Sequence, residues 1–300
     1  MTILIALAPG TKGVPALHLG AVLARSRVED VLVCTVVKTP WPPDPNQSDR
    51  EFLELQRTQA EASLAHAKSY LGDGSLSTEF AVSQASSIAA GLMDTITARD
   101  ISAVVLGSSS AGVLGRVMLG VVAGRILNTA EIPVYVAPRN FEDGHIESIN
   151  RMSVAFGRAD HDSSLLIKAA AAANELSAAL RVVCFAVRPM AAANEAVELG
   201  AEEALVQKWQ ENLKSDVNKT MATVKGLSKG SKGAATATTM DVLLGQGSTW
   251  GHALNDVPWR SGDVLVVGTS TGPLSRFFLG SHAAKIIRNS PVPVLLLPRY

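Results

Sequence analysis

The chain has 300 residues, of which 47 % are hydrophobic and 18 % charged, which is enough apolar material for one large or two ordinary domains and excludes a disordered chain. Lysine plus arginine balance aspartate plus glutamate at 27 each, so no overall field attracts nucleic acid or an acidic membrane surface. Two cysteines cannot form a disulfide scaffold, which favours a reduced, cytoplasmic setting.

Strands and helices are predicted to alternate along the first half of the sequence. Short apolar runs predict buried strands, and apolar residues three to four positions apart predict helices. The N-terminal run is predicted to be a strand and not a signal peptide, because no basic region precedes it. The predicted strands are Ile3–Ala8, Val31–Val37, Thr78–Val82, Ala103–Leu106 and Pro133–Val136. The predicted helices are Val14–Arg27, Ser48–Leu71, Ile88–Ala98 and Val117–Asn128.

The second half follows the same order after a polar linker, Phe141–Asn150. Its predicted strands are Ser153–Phe156, Val182–Val187, Ala235–Met240, Val264–Val267 and Pro293–Leu297. Its predicted helices are Ser163–Leu180, Ala192–Leu227, His252–Val257 and His282–Arg288. Alternation with short connections requires right-handed crossovers and a parallel sheet covered on both faces. Every apolar run is interrupted before the roughly 20 residues that a membrane span needs.

The two halves are diverged copies of one domain. The only cysteines occupy equivalent strands, LVCTVV at 32–37 and VVCFAV at 182–187. The C-terminal blocks also match, through the pairs Gly107/Gly268, Arg116/Arg276, Gly120/Gly280 and Pro133/Pro293. A period of this length indicates a tandem duplication and not a solenoid. The sequence therefore predicts domain 1 at residues 1–140 and domain 2 at residues 151–300.

Each copy has a glycine-rich loop between its fourth strand and the next helix. Gly107 and Ser108 begin the loop of domain 1, and Gly120 precedes its helix. Gly268, Thr269 and Gly272 occupy the loop of domain 2, and Gly280 and Ser281 open its helix. Glycine lets backbone N–H groups approach an anion, and a helix N-terminus adds free donors and partial positive charge. The alternative is that these glycines serve only the turn geometry of an α/β fold.

The chain resembles a tandem universal stress protein. The family carries G-x2-G-x9-G-[ST] before its fourth helix and a final strand like Ile132-Pro-Val-Tyr-Val or Pro291-Val-Pro-Val-Leu here. The resemblance implies two doubly wound, adenine nucleotide alpha hydrolase-like α/β domains that form an intrachain pseudo-dimer. In the family, final strands pair edge to edge, so Pro133–Val136 and Pro293–Leu297 are expected to pair. The implied function is a stress response, with ATP as bound ligand and Mg²⁺ only when ATP is bound.

Departures from the family pattern favour domain 2 as the nucleotide domain. Domain 1 keeps Gly107 and Gly120 but has Ser110 for the middle glycine and Val121 at the hydroxyl position. Domain 2 keeps Gly280-Ser281, with its middle glycine displaced to Gly272. Members that bind ATP also resemble one another in an acidic residue after the first strand. Domain 1 has none there, and in domain 2 Asp160 comes several residues late.

Other patterns suggest no catalytic centre. The run from Gly268 to Gly272 matches G-x-S-x-G after a strand, but no acid follows for a hydrolase triad. Asp160-His161-Asp162 is interpreted as a helix cap and not a metal site, and His282 as a first-turn surface residue. The lysines from Lys208 to Lys232 are interpreted as a solvated surface. Arg116 and Arg276 either pair with phosphate or cross the interface between the copies.

We therefore expect a cytoplasmic, non-catalytic stress-response protein that binds an adenine nucleotide in domain 2. Two alternatives remain open at this point: a nucleotide-free interaction scaffold, and a slow ATPase. Pairing of the two domains within the chain is expected. A homodimer is compatible with this reading, and the signalling partner is unknown.

Overall fold

A computed structural model places ten strands in one continuous sheet. It describes residues 1–39, 47–72, 74, 76–130, 132–142, 144, 146–156, 164–187, 207–208, 211–212, 215, 218–219, 241–269 and 280–298. The strands are β1 Thr2–Ala6, β2 Asp30–Lys38, β3 Thr78–Ala85, β4 Ile101–Gly107, β5 Val134–Ala137, β6 Arg151–Ala155, β7 Ala179–Val187, β8 Asp241–Gly247, β9 Asp263–Gly268 and β10 Val294–Leu297. The helices are α1 Val14–Arg27, α2 Gln47–Leu71, α3 Ile88–Ala98, α4 Val121–Thr129, α5 Ser164–Glu175, α6 Trp250–Asn255 and α7 Ser281–Asn289.

The strand order is β3-β2-β1-β4-β5-β10-β9-β6-β7-β8. Within each half the neighbouring strands are parallel, as predicted. The halves meet at the centre, where β5 and β10 pair antiparallel through Val136 with Val294 and Val134 with Leu296. The expected edge-to-edge pairing of the final strands is confirmed. The predicted fold class, two doubly wound domains joined in one chain, is therefore confirmed.

Helices cover both faces of the sheet. One core packs α1, α2 and α5 against the strands, and the other packs α3, α4, α6 and α7. Strand β2 is buried from Val31 to Val37 and exposed only at its ends. Because a strand covered on both faces needs apolar side chains on both faces, its sequence is a nearly continuous apolar run. The cysteines Cys34 and Cys184 are buried in β2 and β7. Among the described residues, no helix is long and apolar enough to cross a membrane.

The structure corrects three predicted elements. Helix α4 begins at Val121 and not at Val117, because residues 117–120 belong to the preceding loop. Helix α5 ends at Glu175 and not at Leu180, since the chain turns through Ser177 at φ 52° and enters β7. The third strand of domain 2 is β8, Asp241–Gly247, whereas the predicted Ala235–Met240 lies outside the described residues. The predicted helix Ala192–Leu227 lies almost wholly outside them.

Candidate nucleotide-binding loops

The loop of domain 1 is closed by its own hydrogen bonds. It runs from Gly107, at the end of β4, to Gly120, which precedes α4. The Ser108 hydroxyl oxygen accepts a bond from the Met118 amide at 2.7 Å and lies 3.2 Å from the Arg116 carbonyl. The Ser109 amide donates to the Met118 carbonyl at 2.8 Å. Two amides that could have faced an anion are therefore engaged within the loop.

Arg116 crosses the boundary between the two domains. Its Nη1 donates to the backbone carbonyl of Asn289, and its Nη2 donates to Oδ1 of Asn255, both at 2.8 Å. Both partners belong to domain 2, at the ends of α7 and α6. Of the two roles that the sequence left open, the interface role is the one observed for Arg116. Its repeat counterpart Arg276 lies outside the described residues.

The N-terminus of α4 presents apolar side chains. Val121, in the place of the family's hydroxyl residue, is 77 % exposed. Val113 and Leu114 in the same loop are 71 % and 59 % exposed. The Lys12 carbonyl oxygen also lies 3.4 Å from the position of a Cβ built on Gly107, which places an acceptor against the start of the loop. An acceptor and three apolar side chains form a poor surface for phosphate.

Domain 2 keeps an open helix N-terminus at the corresponding place. Gly280 precedes α7, and no side chain among the described residues caps that end by a hydrogen bond. A Cβ built on Gly280 meets no atom of the described residues within 4 Å, and Ser281 is exposed beside it. Such a terminus offers backbone donors and partial positive charge to an anion. Gly272 lies outside the described residues.

The start of this loop is held by the sheet. Gly268 is the buried last residue of β9. The Thr269 amide donates to the Leu297 carbonyl at 3.0 Å, and its hydroxyl lies 3.5 Å from the same oxygen. The amide and hydroxyl of Thr269, which were predicted to face a ligand, therefore hold the start of the loop against β10. Its role in binding stays a prediction, as do those of Gly268, Gly280 and Ser281.

An aromatic pair flanks the α7 terminus. The rings of Trp250 and His282 lie 5.5 Å apart, centroid to centroid, at 40°. Trp250 begins α6, whose N-cap Thr249 accepts a bond from the His252 amide at 3.2 Å. The pairing of Trp250 with His282 was not predictable, because 32 positions separate the two residues in the chain. The only available signal was the rarity of tryptophan, with four in the chain.

The remaining candidate centres do not assemble in the described part of the chain. There, no group of three His, Cys, Asp or Glu side chains is placed to hold a metal ion. Asp160-His161-Asp162 and Ser270 of the G-x-S-x-G pattern lie outside the described residues. Burial raises the pKa of the Cys34 thiol, with the Thr95 hydroxyl opposing the shift as the next contribution. A buried thiol whose pKa is raised is not activated as a nucleophile.

Comparison with known proteins assigns the family. The sequence model described as the universal stress protein family matches the chain twice, over residues 1–138 and 149–298. The chain is 31 % identical over 303 aligned positions to universal stress proteins of Mycobacterium tuberculosis and Mycobacterium bovis, covering 99 % of this chain and 100 % of each relative.

Solved structures share the two-domain fold. A universal stress protein from Archaeoglobus fulgidus aligns over 99 % of this chain and 96 % of its own, at 15 % identity and a TM-score of 0.59. A functionally unknown protein from Pseudomonas aeruginosa aligns over 99 % and 92 %, at 14 % identity and a TM-score of 0.57. The repeat, the ten-stranded sheet and these matches lead to one conclusion: the chain belongs to the universal stress protein family.

Proposed function

We propose that the protein is a cytoplasmic, non-catalytic stress-response protein in which domain 2 binds ATP or another adenine nucleotide and domain 1 binds none. The observation that carries the proposal is the contrast between the two helix N-termini. Ser281 places a hydroxyl directly after the glycine that precedes α7, whereas the exposed apolar side chain of Val121 takes that position in α4. The two free, buried thiols fit a reducing compartment.

Electrostatics favours the α7 terminus for phosphate. The first-turn amides and the Ser281 hydroxyl are donors, and the helix dipole adds partial positive charge. Within the described residues no carboxylate cluster is available for a dedicated metal site. A Mg²⁺ ion bound with ATP would thus depend on the phosphate oxygens for its ligands, which is its ordinary mode of binding to nucleotides.

Matched glycine substitutions test the proposal. Gly280→Val places a branched side chain at the open terminus, and Gly120→Val makes the same change in domain 1. Neither residue has a positive φ, at −51° and −89°, so valine is compatible with both backbones. A Cβ at Gly120 meets only the Ser109 Cβ, at 3.6 Å, which is an ordinary contact.

The assay has two parts. The purified protein is denatured and the supernatant is analysed by chromatography for adenine nucleotide, and melting is then followed with added ATP. Ligand at roughly 100 times its Kd should add about 2.7 kcal/mol of stability. We expect Gly280→Val to abolish this stabilisation and Gly120→Val to retain it. Equal loss in both variants would contradict the assignment to domain 2.

Phosphate release separates a sensor from a slow ATPase. Binding without release of inorganic phosphate supports the non-catalytic proposal. Steady release that Gly280→Val abolishes would replace it with an ATPase, which needs a group that positions water.

A nucleotide-free scaffold is the second candidate, and the surface of domain 1 favours it. Val113, Leu114 and Val121 are exposed apolar side chains on a loop that its own bonds close. The scaffold predicts no co-purified nucleotide and no melting shift with ATP, in the wild type and in both variants.

A further inference from the structure

A cavity of about 440 Å³ lies where the two domains and the linker meet. It opens at the amino ends of domain 2 strands, since Ile149 comes just before β6, Asp263 begins β9 and Val292 comes just before β10. The candidate nucleotide loop of domain 2 is at the carboxyl ends of the same strands. The cavity is therefore separate from the proposed nucleotide site, and a ligand there would not depend on that site.

The walls of the cavity are mainly apolar and come from three parts of the chain. Helix α1 supplies two aliphatic residues, the linker supplies an aromatic and two aliphatic residues, and domain 2 supplies a tryptophan, two valines and two prolines. These residues are Leu19, Val22, Phe141, Ile146, Ile149, Trp259, Val264, Val292, Pro291 and Pro293. The volume is within the range of roughly 300–1,000 Å³ typical of small-molecule sites.

Asp263 is the acidic residue of the lining, and its carboxylate is already saturated. Arg151 donates to it twice, from Nε at 2.9 Å and from Nη2 at 2.6 Å. The backbone amide of Arg260 donates at 2.8 Å, and Nη2 of Arg181 lies at 3.4 Å. Two guanidinium groups thus share one buried carboxylate, so the acid adds no net negative charge to the cavity wall.

Arg260 is the positive group available to a ligand. Arg260 is exposed and lines the cavity. Within the described part of the chain, its guanidinium forms no ion pair. Arg260 also acts on the neighbouring cluster: the pKa of Arg181 is lowered chiefly by burial and next by Arg151, Asp263 opposes this shift, and Arg260 adds to it. A planar guanidinium binds a carboxylate in a bidentate manner, which gives both energy and orientation.

We propose that this interdomain cavity binds a small amphipathic carboxylate, with its aliphatic or aromatic body between α1, the linker and Val292 and its carboxylate on Arg260. One guanidinium above apolar walls matches one negative charge on an apolar body, and it does not match a polyphosphate. Because the walls belong to both domains and to the linker, occupancy also ties the arrangement of the domains to the ligand.

The probe for this site is 1-anilinonaphthalene-8-sulfonate, an aromatic anion whose fluorescence rises in apolar surroundings. Its neutral counterpart, N-phenyl-1-naphthylamine, has a similar ring system without the charge. Titration of the full chain should give one bound sulfonate probe per chain, displaced by sodium decanoate. The variant Arg260→Gln should lower the affinity for the sulfonate probe about tenfold or more and leave the affinity for the neutral probe unchanged.

Two further variants complete the design. Ser261→Trp places a large side chain at an exposed position of the cavity lining, and it should remove binding of both probes. Arg57→Gln removes an exposed arginine on α2, which takes no part in the lining, and should change nothing. Unchanged affinity of the sulfonate probe in Arg260→Gln, or retained binding in Ser261→Trp, would overturn the proposal. A failure of ATP to bind domain 2 would leave these results unaffected.

Discussion

The buried carboxylate of Asp263 is expected to be the most consequential single charge for stability. Its side chain is 2 % exposed, and its two guanidinium partners on Arg151 and Arg181 are 19 % and 4 % exposed. The variant Asp263→Asn keeps the shape of the side chain and removes its charge. Arg181, whose side chain is 4 % exposed, then remains next to Arg151 without a shared counter-ion. Removing one partner of a buried pair costs about 3–5 kcal/mol.

An exposed pair in the same protein provides a matched control. Arg99 and Glu79 also form a bidentate contact, with bonds of 2.5 and 2.7 Å, but their side chains are 43 % and 56 % exposed. The Arg99 hydrogen bonds lower the pKa of Glu79. Water can still replace the lost partner, so Glu79→Gln should change stability by little more than the error of measurement.

Urea denaturation followed by tryptophan fluorescence measures both variants. Trp259 reports on the cluster directly, because its ring lies 5.2 Å from Cζ of Arg181. A loss of about 3–5 kcal/mol is a large part of the 5–15 kcal/mol typical of a folded protein. The denaturation midpoint of Asp263→Asn should therefore fall well below that of Glu79→Gln. Equal midpoints would refute the reasoning that burial, and not bidentate geometry, determines the cost.

Two further predictions concern packing and alkaline pH. Gly20→Ala on α1 places a Cβ 2.2 Å from Cδ1 of Ile5, so overpacking of about 1–3 kcal/mol should exceed the roughly 1 kcal/mol gained in helix propensity and lower the urea midpoint. Gly124→Ala on α4 meets nothing within 4 Å and should raise that midpoint; a fall in both would contradict the packing argument. Burial raises the pKa of Tyr135, so its contribution to stability is complete below pH about 10, where unfolded tyrosine ionises, and is lost as the pH rises further. The variant Tyr135→Phe should lose less stability between pH about 9 and about 11 than the wild type, measured by urea midpoints; an equal loss would exclude Tyr135 as a cause.

The fold was predictable because buried parallel strands leave a direct signature. A strand covered on both faces must be apolar at nearly every position, and β2 and β9 are buried almost throughout. The resemblance to universal stress proteins identified the central pair, and β5 and β10 are each an edge strand of their own half. An exposed edge has unpaired backbone groups, and a linked second copy satisfies them.

Strand β8 was not predicted; the strand expected in this region was Ala235–Met240. Only Val242, Leu243 and Leu244 form an apolar run before Gly245 and Gly247. In the structure both glycines lie inside the strand, directly under α6. A Cβ on Gly245 would lie 2.3 Å from the Ala253 carbonyl oxygen, and one on Gly247 would lie 2.6 Å from the Ala253 amide. These glycines mark a close approach of helix and strand, which a single sequence cannot distinguish from a turn.

The asymmetry between the two loops could be predicted only where it depends on adjacent residues. Val121 against Ser281 is visible in the sequence, because each directly follows the glycine that opens its helix. The position of Arg116 was not predictable, since its partners Asn255 and Asn289 are 139 and 173 positions away.

This contact gives the loop of domain 1 a structural role that does not depend on a ligand. An arginine that donates to the other domain needs a fixed loop around it, and the Ser108 and Ser109 bonds provide one. The hydrogen bonds that close the loop of domain 1 thus also position its contact with domain 2. The interdomain cavity also depends on both copies, because its walls are formed by α1 of domain 1, by the linker and by domain 2. Duplication in this chain therefore creates, at the boundary between the copies, a cavity whose walls neither copy forms alone.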